Sequence, residues 1–230
     1  MDPWVIFDAD NTLWATEALY DEARDALVAA LVAHGIEPIR AEEAQQAIDK
    51  ELYETFGYSA ERFPASFERT LIHFLPNASN EDRLRVKGLA EQVFFRPAKA
   101  HQLLELIIEK LSNSYHLGIL TAGEHWVQQQ RLRHFAYSHH FNAVEIVSRK
   151  DASVFDRFAD RYNVNRSLSW VVGDSLRSDI IPARLAGFNA ILLSVRNWEQ
   201  IEMNSLALPQ GAHRVLDLSE ILSIIPLTIN

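Results

Sequence analysis

At 230 residues, with 48% hydrophobic and 23% charged residues, the chain has the make-up of one large globular domain or of a domain carrying an insertion, which excludes disordered, collagen-like and low-complexity classes. Its formal net charge of −9 argues against a nucleic-acid backbone as the main partner, because such binding needs clustered Lys and Arg. The absence of cysteine excludes disulfides, thiolate metal sites and a cysteine nucleophile, and fits a cytoplasmic location.

The opening Met1-Asp2-Pro3-Trp4-Val5-Ile6-Phe7-Asp8 lacks the basic region of a signal peptide, and no apolar stretch approaches the roughly 20 residues that span a membrane. No membrane partner is therefore expected. Val5-Ile6-Phe7 predicts a buried parallel strand. From Trp14–Thr16 to Phe95-Arg96-Pro97 no strand is predicted, and at least three helical patterns occur. One is Leu19, Ala23, Ala26, Leu27, Ala30, Leu31; another is Val86, Leu89, Ala90, Val93, Phe94. An inserted helical domain over 15–95 follows, with Pro97 marking its exit. Leu104, Ile107, Ile108 and Leu111 then predict a helix, Leu117–Leu120 a strand, and 151–162 and 179–186 further helices. Val144-Glu145-Ile146-Val147 alternates and suits a strand near a sheet edge. Trp170–Val172 and Ala190–Leu193 read as buried strands. The alternation predicts an α/β core formed by 1–14 and 96–230, a doubly wound, mainly parallel Rossmann-like sheet whose ligands bind beyond the carboxyl ends of the strands.

Asp8-Ala9-Asp10-Asn11-Thr12-Leu13 places two carboxylates where the first strand meets its loop. A hydrogen-bonded acidic turn would account for them equally well. A calcium loop would not, since its sixth position would be Leu13 and its twelfth Leu19. A second acidic cluster, Gly173-Asp174-Ser175-Leu176-Arg177-Ser178-Asp179, follows Trp170–Val172; here Ser178 or Asp179 could simply cap the next helix. Carboxylates converging at one sheet edge repel unless a cation neutralises them, and a chain offering only hard oxygen ligands there suits magnesium. Thr121 and Ala122 end another strand and offer a hydroxyl and backbone amides for a phosphate, while Lys150 precedes a helix. His134, His139 and His140 lack the spacing of a zinc site and read as a surface loop. Trp14, Glu17 and Tyr20 could line the mouth of a site or pack a hinge.

These segments resemble, in order, the four motifs of the haloacid dehalogenase superfamily. Asp8–Leu13 resembles its DxDxT motif, Thr121 its second-motif Thr or Ser, Lys150 its third-motif lysine, and Gly173–Asp179 its GDSxxxD motif. The resemblance implies a magnesium-dependent phosphatase acting on a small phosphate ester. In it Asp8 is the nucleophile and Asp10 the general acid and base. Asp8, Asp174 and the Asp10 backbone carbonyl would bind the metal, with Asp179 supporting them, while Thr121, Ala122 and Lys150 would hold the phosphoryl group. The helical insertion resembles the family's cap. Three positions depart from the pattern: Asp151 stands where the third motif often has proline, which leaves Arg149 as a substitute for Lys150, Pro182 stands where the fourth motif's helix often has glycine, and Asn11 stands where glycine is commonest. The same superfamily also contains dehalogenases and phosphomutases, and a catalytically weak binding protein on this fold is a further alternative.

Overall fold

Val5, Ile6 and Phe7 have no exposed surface, and they sit in a strand that is hydrogen-bonded on both sides, as an unbroken apolar run requires. This strand is β1 (Trp4–Phe7) of a six-stranded sheet. The others are β4 (His116–Ala122), β5 (Ala143–Val147), β6 (Trp170–Gly173), β7 (Asn189–Leu193) and β8 (Ala212–Val215). The structure is a computed structural model that describes residues 1–194 and 207–227; the stretches 195–206 and 228–230 of the expected core lie outside the described residues.

The sheet order is β5-β4-β1-β6-β7-β8 and every pairing in it is parallel. The chain builds outward from β1 to one edge through β4 and β5, then returns to build the other edge from β6. This reversal beside β1 is the switch point at which α/β sheets bind ligands. Helices α5 (Leu104–Ser112), α7 (Ala152–Tyr162) and α8 (Ile181–Leu185) flank the strands. Val154, Phe155, Phe158 and Ala183 pack in one cluster with Ile6, Leu120, Val171 and Ala190.

The alternating segment is the edge strand β5, as expected. Val144 is 40% exposed, whereas Glu145 is half-buried and pairs with Arg161 of α7 at 2.9 Å. Two elements leave no mark in the sequence pattern. One is β8, whose Ala-His-Arg-Val has no apolar run. The other is an antiparallel ribbon of β2 (Trp14–Ala15) and β3 (Lys99–Ala100), formed by the segments that leave and re-enter this part of the chain.

The molecule divides into two compact units, the first comprising 1–15, 99–122 and 132–230 and containing the sheet. The second comprises 16–98 and 123–131 and is helical. Its four longer helices are α1 (Glu17–Val32), α2 (Pro38–Phe56), α3 (Arg62–Phe74) and α4 (Asn80–Glu91). Leu19, Leu27 and Leu31 of α1, Phe63, Phe67 and Leu71 of α3 and Val86 of α4 form its core, joined by Val127 of α6 (His125–His134) from the 123–131 segment. Starts are set locally, by Pro38 in the first turn of α2 and by Ser79, which accepts a hydrogen bond from the Asp82 amide at 3.1 Å. Among the described residues no helix is long and apolar enough to cross a membrane.

Candidate active site

The first strand delivers Asp8 to the switch point, and the ladder continues one residue past β1, since the Asp8 amide donates to the Val172 carbonyl at 2.8 Å. The chain then closes a tight loop in which the Ala9 carbonyl accepts from the amides of Thr12, Leu13 and Trp14. Closing it puts Asn11 at φ +59°, in the left-handed region that glycine and asparagine tolerate best. The departure from glycine at this position therefore costs little. Thr12 turns back so that its hydroxyl donates to Asp8 Oδ2 at 3.2 Å.

On one side of β1, Thr121 is the last residue but one of β4; it is 1% exposed, and its hydroxyl has no hydrogen-bond partner among the described residues. Ala122 beside it is half-buried. On the other side β6 ends at Gly173, and Asp174 follows. The segment Leu176–Ile180 is a π-turn rather than the regular helix expected from 179 onward, a form often found at functional sites. Ser175 caps it, accepting from the Ser178 amide at 3.1 Å, so neither Ser178 nor Asp179 is the cap. Asp179 turns inward instead, accepting the Ser175 amide at 3.0 Å. Its carboxylate lies so close over Gly173 that a Cβ there would meet Asp179 Oδ2 at 2.3 Å. Glycine is the residue that this approach permits.

Lys150 is buried at the centre of the group. Its ammonium donates to Asp8 Oδ1 and to Asp179 Oδ1, the latter at 2.6 Å. Arg149 is exposed and takes no such place. Asp151 caps α7, accepting from the Val154 amide at 3.2 Å, which explains how the chain starts that helix without proline after Lys150. Carboxylate oxygens of Asp8, Asp174 and Asp179 all lie within 4.8 Å of one another, the spacing of a cation site. Burial pushes the Asp8 carboxyl from 3.8 up to about 7, with the Lys150 ammonium opposing the rise and the charges of Asp179 and Asp10 adding to it. For Lys150 burial acts downward, but Asp179 and Asp8 outweigh it and hold its pKa above the usual lysine value.

Asp10 is only half-buried, and its carboxylate is not one of these three; Oδ1 accepts a hydrogen bond from Trp14 Nε1 at 2.6 Å. Thr12 and Trp14 were not assigned these roles by the sequence, although both lie four residues beyond the carboxylate they contact. Glu17 and Tyr20 belong to the helical unit, where Glu17 bonds Arg24 at 3.0 Å and Tyr20 stacks edge-on to Phe63. His134, His139 and His140 are exposed, and none belongs to the candidate cation site found among the described residues.

The family profile of haloacid dehalogenase-like hydrolases matches residues 5–193. The chain belongs to this family. Among its relatives, the glyceraldehyde 3-phosphate phosphatase of Methanopyrus kandleri is 25% identical over 206 residues, 86% of each chain. A haloacid dehalogenase-like hydrolase from Xanthomonas campestris has a similar solved structure, with a TM-score of 0.80, 22% identity and coverage of 97% of this chain and 94% of that one. So does the HAD-hydrolase YfnB of Bacillus subtilis bound to magnesium, with a TM-score of 0.70, 18% identity and coverage of 97% and 98%. Dehalogenases share the fold too: the L-2-haloacid dehalogenase of Xanthobacter autotrophicus superposes with a TM-score of 0.67 at 15% identity, covering 98% of both chains. The protein is thus a hydrolase of this family on a Rossmann-like fold.

Proposed function

We propose that the protein is a magnesium-dependent phosphatase that hydrolyses a small phosphate monoester through an aspartyl phosphate on Asp8. The observation that carries this reading is charge balance. The carboxylates of Asp8 and Asp179 bond one ammonium and that of Asp174 lies beside them, so with all three ionised this largely buried cluster carries an excess of two negative charges. A divalent ion would neutralise them, and an all-oxygen donor set suits magnesium. Asp8, Asp174 and the Asp10 backbone carbonyl would hold the ion, with Asp179 fixing Lys150. When bound, it would offset charge on the Asp8 carboxylate and on the phosphoryl oxygens. A carboxylate that displaces halide from carbon needs neither that ion nor an acid at position 10, so the same cluster speaks against dehalogenation.

In this reading an Asp8 oxygen bonds to phosphorus as the ester P–O bond breaks, and Asp10 gives its proton to the departing alkoxide. Asp10 then takes a proton from water as that water attacks phosphorus, which frees Asp8 and releases phosphate. A phosphoryl oxygen beside Thr121 would satisfy its buried hydroxyl, a group that is otherwise costly to leave unpaired. The Ala122 amide and the Lys150 ammonium would hold the rest of the phosphoryl group. The helical unit would correspond to the family's cap and set substrate choice.

The relative's name puts glyceraldehyde 3-phosphate among the first esters to try. The test is a screen of phosphate monoesters, including that compound and nitrophenyl phosphate, with magnesium and with a chelator, run beside a set of 2-haloacids. Magnesium-dependent phosphate release that Asp8→Asn abolishes is the expected result. Halide release without magnesium, or phosphate release undiminished by the chelator, would overturn the reading.

A further inference from the structure

Among the residues around the carboxylate cluster, Trp14 is the one whose contact carries a consequence beyond the roles above. It is 2% exposed, and its backbone is tied three times: its amide donates to the Ala9 carbonyl at 3.2 Å, its carbonyl accepts from the Asn11 amide at 2.7 Å, and it pairs with Ala100 in the ribbon. Its ring is held edge-on against Phe135, with centroids 4.8 Å apart. The indole therefore has little freedom, and its N–H reaches Asp10 Oδ1 at 2.6 Å from a fixed direction.

An indole N–H is a donor only. It can bond a carboxylate oxygen, and in the protonated acid it bonds the carbonyl oxygen far better than the hydroxyl oxygen. We propose that Trp14 is a positioning residue whose fixed indole N–H holds the Asp10 carboxyl in one orientation. This rests on Asp10 being the general acid and base of the proposed phosphatase. With Oδ1 engaged by the indole, Oδ2 is the oxygen turned to proton exchange in this reading. As the leaving alkoxide departs, the Oδ2–H bond breaks, the alcohol O–H bond forms, and the carboxylate charge left behind is stabilised at Oδ1 by the indole. In the second half-reaction Oδ2 takes the proton from the attacking water. The same hydrogen bond limits rotation of the carboxyl, so Oδ2 meets each proton in one orientation.

The experiment is single-turnover phosphorylation by rapid mixing, for Trp14→Phe, Asp10→Ala and the double variant. The esters are nitrophenyl phosphate, whose leaving group needs little protonation, and the fastest alkyl phosphate of the substrate screen. General acid assistance is typically worth about 10²–10⁴-fold, and a displaced group keeps only part of it. Trp14→Phe should thus slow phosphorylation by the alkyl ester about 10-fold or more while changing nitrophenyl phosphate less than about 2-fold. In the Asp10→Ala background it should change neither, because a residue acting through Asp10 has nothing left to act on. Benzothienylalanine at position 14 keeps the bicyclic shape without the N–H and should repeat the pattern even if the smaller phenyl ring disturbs packing. Equal slowing of both esters, full additivity with Asp10→Ala, or a benzothienylalanine protein that behaves as wild type would overturn the proposal. Asp10→Ala alone separates the two levels of inference. If it spares the alkyl ester, the acid role of Asp10 fails and takes this proposal with it; if it slows that ester selectively and the Trp14 variants do not, only the role of Trp14 fails.

Discussion

Asp8→Asn should abolish turnover yet make the metal-free protein more stable at neutral and alkaline pH. The amide has nearly the same shape and removes a charge that burial and Asp179 disfavour and Lys150 only partly offsets. In the folded protein the carboxyl is pushed from 3.8 to about 7, so folding favours its protonated form. The sign follows: the wild type has its full share of stability below the unfolded pKa, and loses it as pH rises toward the folded one. A difference of about 3 pKa units at about 1.4 kcal/mol per unit gives a loss of roughly 4 kcal/mol by pH 8, an upper figure for a single site. The Asp8→Asn protein, with no carboxyl at this position, has no such loss to suffer. In chelator, urea midpoints of the two proteins should nearly coincide near pH 4 and separate in favour of the variant by a few kcal/mol at pH 8. Magnesium at about 100 times its dissociation constant should restore about 2.7 kcal/mol to the wild type, and much less to the variant, which lacks a charged ligand. A variant no more stable than wild type at pH 8 in chelator would mean that Lys150 already compensates Asp8 fully. The charge argument for a metal would then lose its basis.

Thr121→Val should leave stability within about 1 kcal/mol, since the hydroxyl has no partner to lose, while lowering kcat/KM about 10²–10³-fold; equal activity in a steady-state assay would remove Thr121 from phosphoryl binding. Gly173→Ala should displace the Asp179 carboxylate, which lies 2.3 Å from the added Cβ, and weaken magnesium binding measured by calorimetry; an unchanged affinity would show that Asp179 does not support the metal. Lys150→Met should destabilise the metal-free fold by about 3–5 kcal/mol and abolish turnover, because it strips the buried carboxylates of Asp8 and Asp179 of their ammonium, whereas Arg149→Met should do neither. Similar activity losses in the two variants would contradict the assignment of Lys150.

The strands that bring the candidate site together were legible because they are buried on both faces and so appear as apolar runs, each leading to a polar residue of that site. Val5–Phe7 led to Asp8, Leu117–Leu120 to Thr121, and Trp170–Val172 to Asp174. What stayed hidden depends on contacts between distant segments. The Trp14–Ala15 ribbon pairs residues some 85 positions apart, as its register with Ala100 and Lys99 records, and nothing in either dipeptide announces it. The choice between Lys150 and Arg149 is one of side-chain direction at the end of an edge strand, where one residue is buried and its neighbour exposed. The Asp10–Trp14 contact was hidden for another reason. The sequence leaves Trp14 either at the mouth of a site or in a hinge, and only the loop closed by the Ala9 carbonyl aims its N–H at a carboxylate.

The same distinction bears on how far the helical insertion can be treated as a separate module. By strand and helix alternation alone, the stretch after Ala122 belongs with the sheet, but 123–131 groups with the helical unit and buries Val127 in its core. The helical unit is therefore built from two chain segments, one of which begins immediately after the strand that carries Thr121 and Ala122. Removing residues 16–98 would take away the partners of Val127 and leave an apolar side chain, now 4% exposed, in water. Fully exposing a valine costs about 1.5 kcal/mol or more, a cost borne by the chain that follows Thr121 directly. A deletion protein should thus keep its parallel sheet by circular dichroism but exchange amide hydrogens rapidly over 123–131. The proposed phosphate chemistry should weaken through Thr121 and Ala122 even though the deletion removes none of the carboxylates of the candidate site. Slow exchange over 123–131 in the deletion protein would mean that this segment is held by the sheet unit, and that substrate choice alone resides in the helices.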